Sequence, residues 1–369
     1  MKAQKIGIVT WYNYPNPGTA FQAYALQQFI NSIPSCEAEV INIMNDFYYT
    51  IKSSIIKRYS KEYGLFSKPV LLYLGLQSYK FCSFQRKHII CYPSKPLNRC
   101  LQDEDCRIIN ERYDWVILGS DQLWNFNFTF ATHFSEDRFL SFVSSPKKGA
   151  YAPSMGKDDW PDEYKNRIKE LLSDFSFIGV REKHAVRIVQ PLTHIPVHWS
   201  LDSTFLLDKS EWAKIAKNPK QEGEYIFEYC ILKSPILRAA TEKLAAKTGL
   251  PVIEHHGDIR KNVPSAKRMP HPNPETWLGY LMNAKYVVTD SFHACAFSIN
   301  TNRYFYAIVT NNGSRIYSLL ELFGLQNHAL TETDEIDPKE SIDWNTVNQI
   351  LEERRKDSQD WLRTSLKKD

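Results

Sequence analysis

No stretch of this 369-residue chain strings together the roughly 20 apolar residues that a membrane-crossing helix needs. Its first residues, Met-Lys-Ala-Gln-Lys, run straight into the strand-like Ile6-Gly-Ile-Val-Thr10 with no apolar leader, which reads as a protein made and kept in the cytoplasm. The seven cysteines form no Cys-x-x-Cys pair and are odd in number, so reduced thiols are expected rather than a metal site. An excess of one charge is missing too: 46 basic residues against 42 acidic ones leave a net charge of +4. The longest basic run, Arg354-Arg-Lys356, is preceded by two glutamates, so no nucleic-acid partner is expected. There is no internal repeat and no low-complexity tract.

What is present describes an ordinary globular protein, 43% hydrophobic and 24% charged. Its length exceeds the roughly 250–300 residues beyond which one core usually divides, so two domains are expected. Aromatic residues make up 13%; most belong in cores, although Tyr and Trp also suit stacking on sugar faces.

Along the chain, Lys5 to Thr10 reads as a buried strand, followed by an Asn/Pro/Gly-rich loop, a helix over Phe21 to Ile30 and a strand over Val40 to Met44. This β-loop-α-β opening predicts a parallel, doubly wound sheet, although its first loop lacks the Gly-x-Gly-x-x-Gly dinucleotide fingerprint. Residues 47–101 are basic and aromatic and read as inserted helices and loops. A solvated helical face accounts for them, and peripheral contact with anionic lipid is the alternative. Strands return at Trp115 to Leu118, Gly149 to Ala152 and Phe177 to Val180, then a helix over Arg181 to Val189. A second alternation follows: strand Tyr225 to Leu232, helix Ser234 to Thr248, strand Pro251 to His255, helix Pro274 to Ala284. A strand into His293, its helix and a strand over Tyr304 to Val309 complete it. The expected architecture is α/β, with two Rossmann-like domains facing a central cleft. The first spans 1–180 with the 47–101 insertion, the second spans 181–342, and a helix over 343–369 packs back on the first.

Candidate functional residues sit at expected strand ends. Tyr286-Val-Val-Thr-Asp-Ser-Phe-His293 runs into an apolar stretch of helical spacing, with Ser291 or Asp290 placed as the cap. The helix start suits an anion, and His293 is the side chain there able to move a proton near neutral pH; a satisfied core histidine is the plain alternative. In Asn13 to Gln22, Asn13 offers a polar side chain and Gly18 either lets a ligand approach the backbone or simply makes a turn. In Gly119-Ser-Asp-Gln-Leu-Trp-Asn125, Asp121 either acts on a hydroxyl or caps a helix, Gln122 adds hydrogen-bonding capacity, and Trp124 either stacks on a sugar or fills the core. Arg181 and Arg315 follow two other strands and carry planar forks suited to carboxylate or phosphate; singly, each also suits a salt bridge.

These blocks resemble the polysaccharide pyruvyl transferase family. The resemblance rests on Asn16-Pro-Gly-Thr-Ala-Phe-Gln22, Val116-Ile-Leu-Gly-Ser-Asp-Gln-Leu-Trp-Asn125, Ala150-Tyr-Ala-Pro-Ser-Met-Gly156, Val180-Arg-Glu-Lys183, Leu201-Asp-Ser-Thr-Phe-Leu-Leu207 and Val287 to Ile299. It covers nearly the whole chain apart from residues 47–101 and the tail. It implies a GT-B-like fold and transfer of pyruvate, as a ketal, from phosphoenolpyruvate to hydroxyls of a glycan or lipid-linked saccharide in cell-surface polysaccharide synthesis, in the cytoplasm or at the inner face of the membrane. No cofactor and no metal are implied, and oligomeric state is left open. The family's catalytic histidine corresponds to His293 and its phosphoenolpyruvate-binding arginines to Arg181 and Arg315. Two departures stand out: Ala294 where Gly often follows Ser-Phe-His, and Asp202-Ser-Thr204 where Asp-Pro-Thr is usual. A nucleotide-sugar glycosyltransferase of the same fold, and a non-catalytic glycan- or anion-binding protein, are the competing readings.

Overall fold

The computed structural model describes residues 3–14, 16–43, 72, 79, 82–97, 101–126, 135–156, 159–231, 234–256, 261–270, 273–309, 314–331, 336, 338 and 341–367. Most of the basic segment expected as an insertion, and residues 311–313 before Arg315, lie outside them. The chain divides into two compact units, the first ending at Leu206 and resuming at Arg354, the second spanning Leu207–Glu353.

The first unit contains β1 (Gln4–Val9), α1 (Pro17–Asn31), β2 (Cys36–Ile43), β3 (Cys91–Leu97), α2 (Asp103–Arg112), β4 (Trp115–Leu118), β5 (Lys147–Tyr151), α3 (Asp162–Leu172), β6 (Phe175–Val180), α4 (Lys183–Val189) and β7 (Val197–Trp199). Its seven strands lie in the order β3-β2-β1-β4-β5-β6-β7, and every pairing is parallel. Parallel strands are covered on both faces, which is why Trp115-Val-Ile-Leu118 is buried throughout. Trp115 and Ile117 join Ile6, Ile8 and Phe177 on one face under α1. Val116 and Leu118 join Ile178 and Val180 on the other. Helix α1 starts where Asn16 accepts from the Gly18 N–H at 2.9 Å, with Pro17 at the first helical position.

Two expectations are corrected here. Within the segment read as helices and loops, β3 is a strand. Pro93 and Pro96 disguise it, and the sheet accommodates them because β3 is an edge strand paired only with β2. The division between units falls after Leu206 rather than at 180/181, because β7 extends the first sheet by pairing with Ile178, Gly179 and Val180. The tail forms α10 (Trp344–Ser365). Its later part belongs to the first unit: Arg355 Nε donates to the Phe205 carbonyl at 2.7 Å, Ser358 Oγ accepts from the Leu201 N–H at 3.0 Å, and Trp361 stacks on His198 at 4.6 Å.

The second unit contains α5 (Lys209–Ala213), β8 (Ile226–Cys230), α6 (Pro235–Thr248), β9 (Val252–His256), β10 (Lys267–Arg268), α7 (Pro274–Asn283), β11 (Tyr286–Thr289), α8 (Phe292–Asn300), β12 (Tyr304–Ile308), α9 (Ser314–Leu322) and β13 (Ala329–Leu330). The sheet order is β10-β9-β8-β11-β12-β13, again parallel throughout. Both sheets reverse their winding once, between β1 and β4 and between β8 and β11. In Rossmann-like sheets ligands bind beyond the carboxyl ends of strands at such a point.

Candidate functional site

In the second unit the winding reversal is where His293 lies. Strand β11 ends at Thr289, whose hydroxyl donates to the Tyr229 carbonyl at 2.6 Å and accepts from the Ser291 N–H at 3.0 Å. Asp290 accepts from the Ile231 N–H at 2.7 Å, which ties the ends of β8 and β11 together. Ser291, not Asp290, is the cap: its side chain accepts from the Ala294 N–H at 3.4 Å. His293 thus sits in the first turn of α8, nearly buried, with its ring edge-on to Phe292 at 5.4 Å. Ala294 is completely buried, and Ser298 donates to its carbonyl at 2.8 Å. Arg315 occupies the first turn of α9, half-buried, beyond the carboxyl end of the neighbouring strand β12. Ser291, His293 and Arg315 therefore share one end of the second sheet.

In the first unit Asn13, Gly18, Asp121, Gln122 and Arg181 likewise lie at the carboxyl end of the sheet. Thr10 donates to the Ser120 carbonyl at 2.9 Å and Thr19 to Asp121 Oδ2 at 3.2 Å, joining the end of β1 and the start of α1 to the loop after β4. Gly119 makes this approach possible, since a Cβ there would lie 2.9 Å from Cβ of Thr10. Asp121 adopts φ +82°, a left-handed conformation that costs a non-glycine residue energy. It is held there by the Ser154 N–H on its carbonyl at 2.7 Å and by its own carboxylate on the Gln122 N–H at 2.9 Å. Gln122 accepts from the Asn125 amide at 2.6 Å. Gly18 is buried within α1, its N–H capped by Asn16, so it serves the helix start. Asn13 is half-buried, and its side-chain oxygen has no hydrogen-bond partner among the described residues.

Two of the residues expected to contact ligand are buried in the first unit. Trp124 is wholly buried, stacked on Phe139 at 5.5 Å and edge-on to Trp160, with its indole N–H donating to the Arg138 carbonyl at 3.0 Å. It is core, since both its faces and its polar edge are spent inside the unit. Arg181 is also buried, donating to Asp202 at 2.8 Å and to Glu182 at 3.2 Å. Burial opposes its charge, but Glu182, Asp202 and Asp121 more than compensate and hold its pKa above the ordinary value. Its charge faces carboxylates of its own unit.

Sequence reading missed the group that organises this end of the sheet. Asp202 accepts from Ser120 at 2.9 Å, from Arg181, and from both the N–H and the hydroxyl of Thr204. Glu182 accepts from Ser154 and from the Met155 N–H at 3.3 Å.

A family model for polysaccharide pyruvyl transferases matches residues 16–312. The chain belongs to this family. A search of curated proteins returns no match. Among solved structures, the UDP-GlcNAc 2-epimerase of Methanocaldococcus jannaschii is similar at 9% identity and TM-score 0.51, covering 94% of this chain and 92% of that one. A protein of Listeria monocytogenes assigned as a UDP-N-acetylglucosamine 2-epimerase gives 11% identity, TM-score 0.50 and 95% coverage of both chains. At these identities the likeness is one of fold: two Rossmann-like units in one chain, the GT-B-like class. As a member of the pyruvyl transferase family the protein is a transferase acting on glycans. Among the described residues no helix is long and apolar enough to cross a membrane, and no cluster of three or more His, Cys, Asp or Glu side chains is placed to hold a metal ion.

Proposed function

We propose that this protein transfers pyruvate from phosphoenolpyruvate to two hydroxyls of a glycan or lipid-linked saccharide. Family membership over residues 16–312 supports the reaction class. The observation that carries the residue assignment is His293 in the capped first turn of α8, at the winding reversal of its sheet. There an imidazole stands beside backbone dipoles that favour an anion.

The donor's methylene carbon receives a proton from His293, and its central carbon becomes electrophilic. One acceptor hydroxyl adds there, the second displaces phosphate, and the ketal closes. Of the two hydroxyl protons, one in effect replaces the proton that His293 gave and the other leaves with phosphate. General acid catalysis of this kind contributes typically about 10²–10⁴-fold. Arg315 and the start of α8 neutralise the donor's carboxylate and phosphate. Asp121, with Gln122 and Asn13 at the same end of the first sheet, is the candidate group for the acceptor hydroxyl. No resident cofactor is part of this reading. Because the donor is a cytosolic metabolite, the reaction belongs in the cytoplasm, reaching the membrane's inner face if the acceptor is lipid-linked. The GT-B-like fold alone does not favour a nucleotide-sugar donor.

The test is incubation with phosphoenolpyruvate and a panel of glycan acceptors, following phosphate release and the mass of the acceptor. Wild-type protein is expected to do both, His293→Ala to stay folded and lose turnover, and Arg315→Ala to bind phosphoenolpyruvate more weakly by calorimetry. Near-normal turnover of His293→Ala, or stabilisation by nucleotide sugars and not by phosphoenolpyruvate, overturns the reading.

A further inference from the structure

On the face of the second sheet away from His293, two glutamates meet inside the core. The parallel register of β8 and β9 sets Glu228 opposite Glu254, and both are completely buried. The apolar core of this unit includes Leu237, Leu244, Val252 and Val288. We propose that this pair holds a single proton, carried by Glu228, and that the proton sets the pH range over which the second unit is stable.

Hydrogen bonding favours Glu254 as the ionised partner. Glu254 Oε2 accepts from the backbone N–H groups of Asn262 at 3.0 Å and Val263 at 3.1 Å, as an anion requires. Glu228 Oε1 accepts only from the Asn262 side-chain amide at 2.8 Å, and its Oε2 is buried with no hydrogen-bond partner among the described residues. Thr241 of α6 faces Glu228, but its one hydroxyl hydrogen is committed to the Leu237 carbonyl at 3.0 Å. It therefore offers Glu228 lone pairs only. A proton on Oε2 turns that lone-pair opposition into a donor and an acceptor, and it spares the core a second negative charge.

The charged groups around Glu228 agree with this assignment. Glu254 faces it from β9 and Asp290 acts on it from beyond β11, both negative, while Arg268 of β10, positive, stands opposite Glu254 on the far side from Glu228. From α6 and from the loop after β9 come Thr241 and Asn262, both neutral. His255 turns to the other face and stacks on Tyr229 at 5.8 Å. Burial above all, with Glu254 and Asp290 adding to it, raises the Glu228 pKa from 4.5 to about 7.

A folded-state pKa above the unfolded one means that the folded protein keeps the proton while the unfolded chain has lost it. The stabilisation is complete below about pH 4.5 and is lost as pH rises through about 7. The residues following Glu228 transmit the loss: the Tyr229 carbonyl and the Ile231 N–H hold Thr289 and Asp290 in the loop before α8.

Thermal unfolding of wild-type protein and of Glu228→Gln between about pH 5 and about pH 8 tests the proposal. The wild-type midpoint should fall about 5 °C further than that of Glu228→Gln, which should melt higher than wild type at the alkaline end. Glu254→Gln should also flatten the wild-type slope, because Glu228 then loses its negative neighbour. In wild type itself, protection of the Ile231 amide against hydrogen exchange, corrected for intrinsic rate, should drop above about pH 7. Parallel pH profiles for wild type and Glu228→Gln, or constant Ile231 protection, overturn it.

Discussion

Asp202 shows how much of this protein's ligand-facing end depends on one side chain. Its two oxygens take hydrogen bonds from Ser120, Arg181 and Thr204, all buried, and an amide in its place loses the charge opposite Arg181 and sets a donor where one oxygen accepted. Asp202→Asn should cost roughly 3–5 kcal/mol, the usual penalty for breaking a buried ion pair from one side. Urea unfolding is the measurement, and a midpoint equal to wild type would contradict the network as described. Single residues were unevenly legible in the sequence. Ser291 and His293 were readable because a cap and a helix start are local patterns. The carboxylates that claim Arg181 were not: Asp202 reaches it across 21 positions, and no spacing rule reveals that pairing.

Elements were more legible than side-chain contacts. Strong apolar runs such as Trp115 to Leu118 and helices with clear stops were placed to within a few residues, because periodicity and capping act locally. The failures have physical causes. Strand β3 carries two prolines that only an edge position tolerates, and β7 is three residues long, too short to show a period. The cap of α8 can be tested at this scale. Ser291→Ala should lower stability by about 1 kcal/mol, whereas Ser291→Gly should lower it by only a few tenths. Thermal melts of the two variants compare them directly; equal midpoints would mean that the Ser291–Ala294 contact contributes nothing.

At the level of the whole molecule, the two units are not two consecutive lengths of chain. Buried Arg355, Ser358, Leu362 and Leu366 belong to the first unit, although the second unit's residues precede them in sequence. Removing residues 354–369 should therefore destabilise the first unit in particular. Leu362 and Leu366 would vanish from its apolar face, and large-to-small changes at such sites cost about 2–5 kcal/mol each. Exchange of the β1 and β4 amides should rise sharply in the truncated protein while that of β8 and β11 stays near wild type. Equal protection of both sheets would refute the assignment. During synthesis most domains close in order as they leave the ribosome, at about 5–20 residues per second. Here the unit translated first has to wait for residues made after the whole of the second unit, so its apolar surface stays exposed, and in need of chaperone cover, until Leu362 and Leu366 have been made.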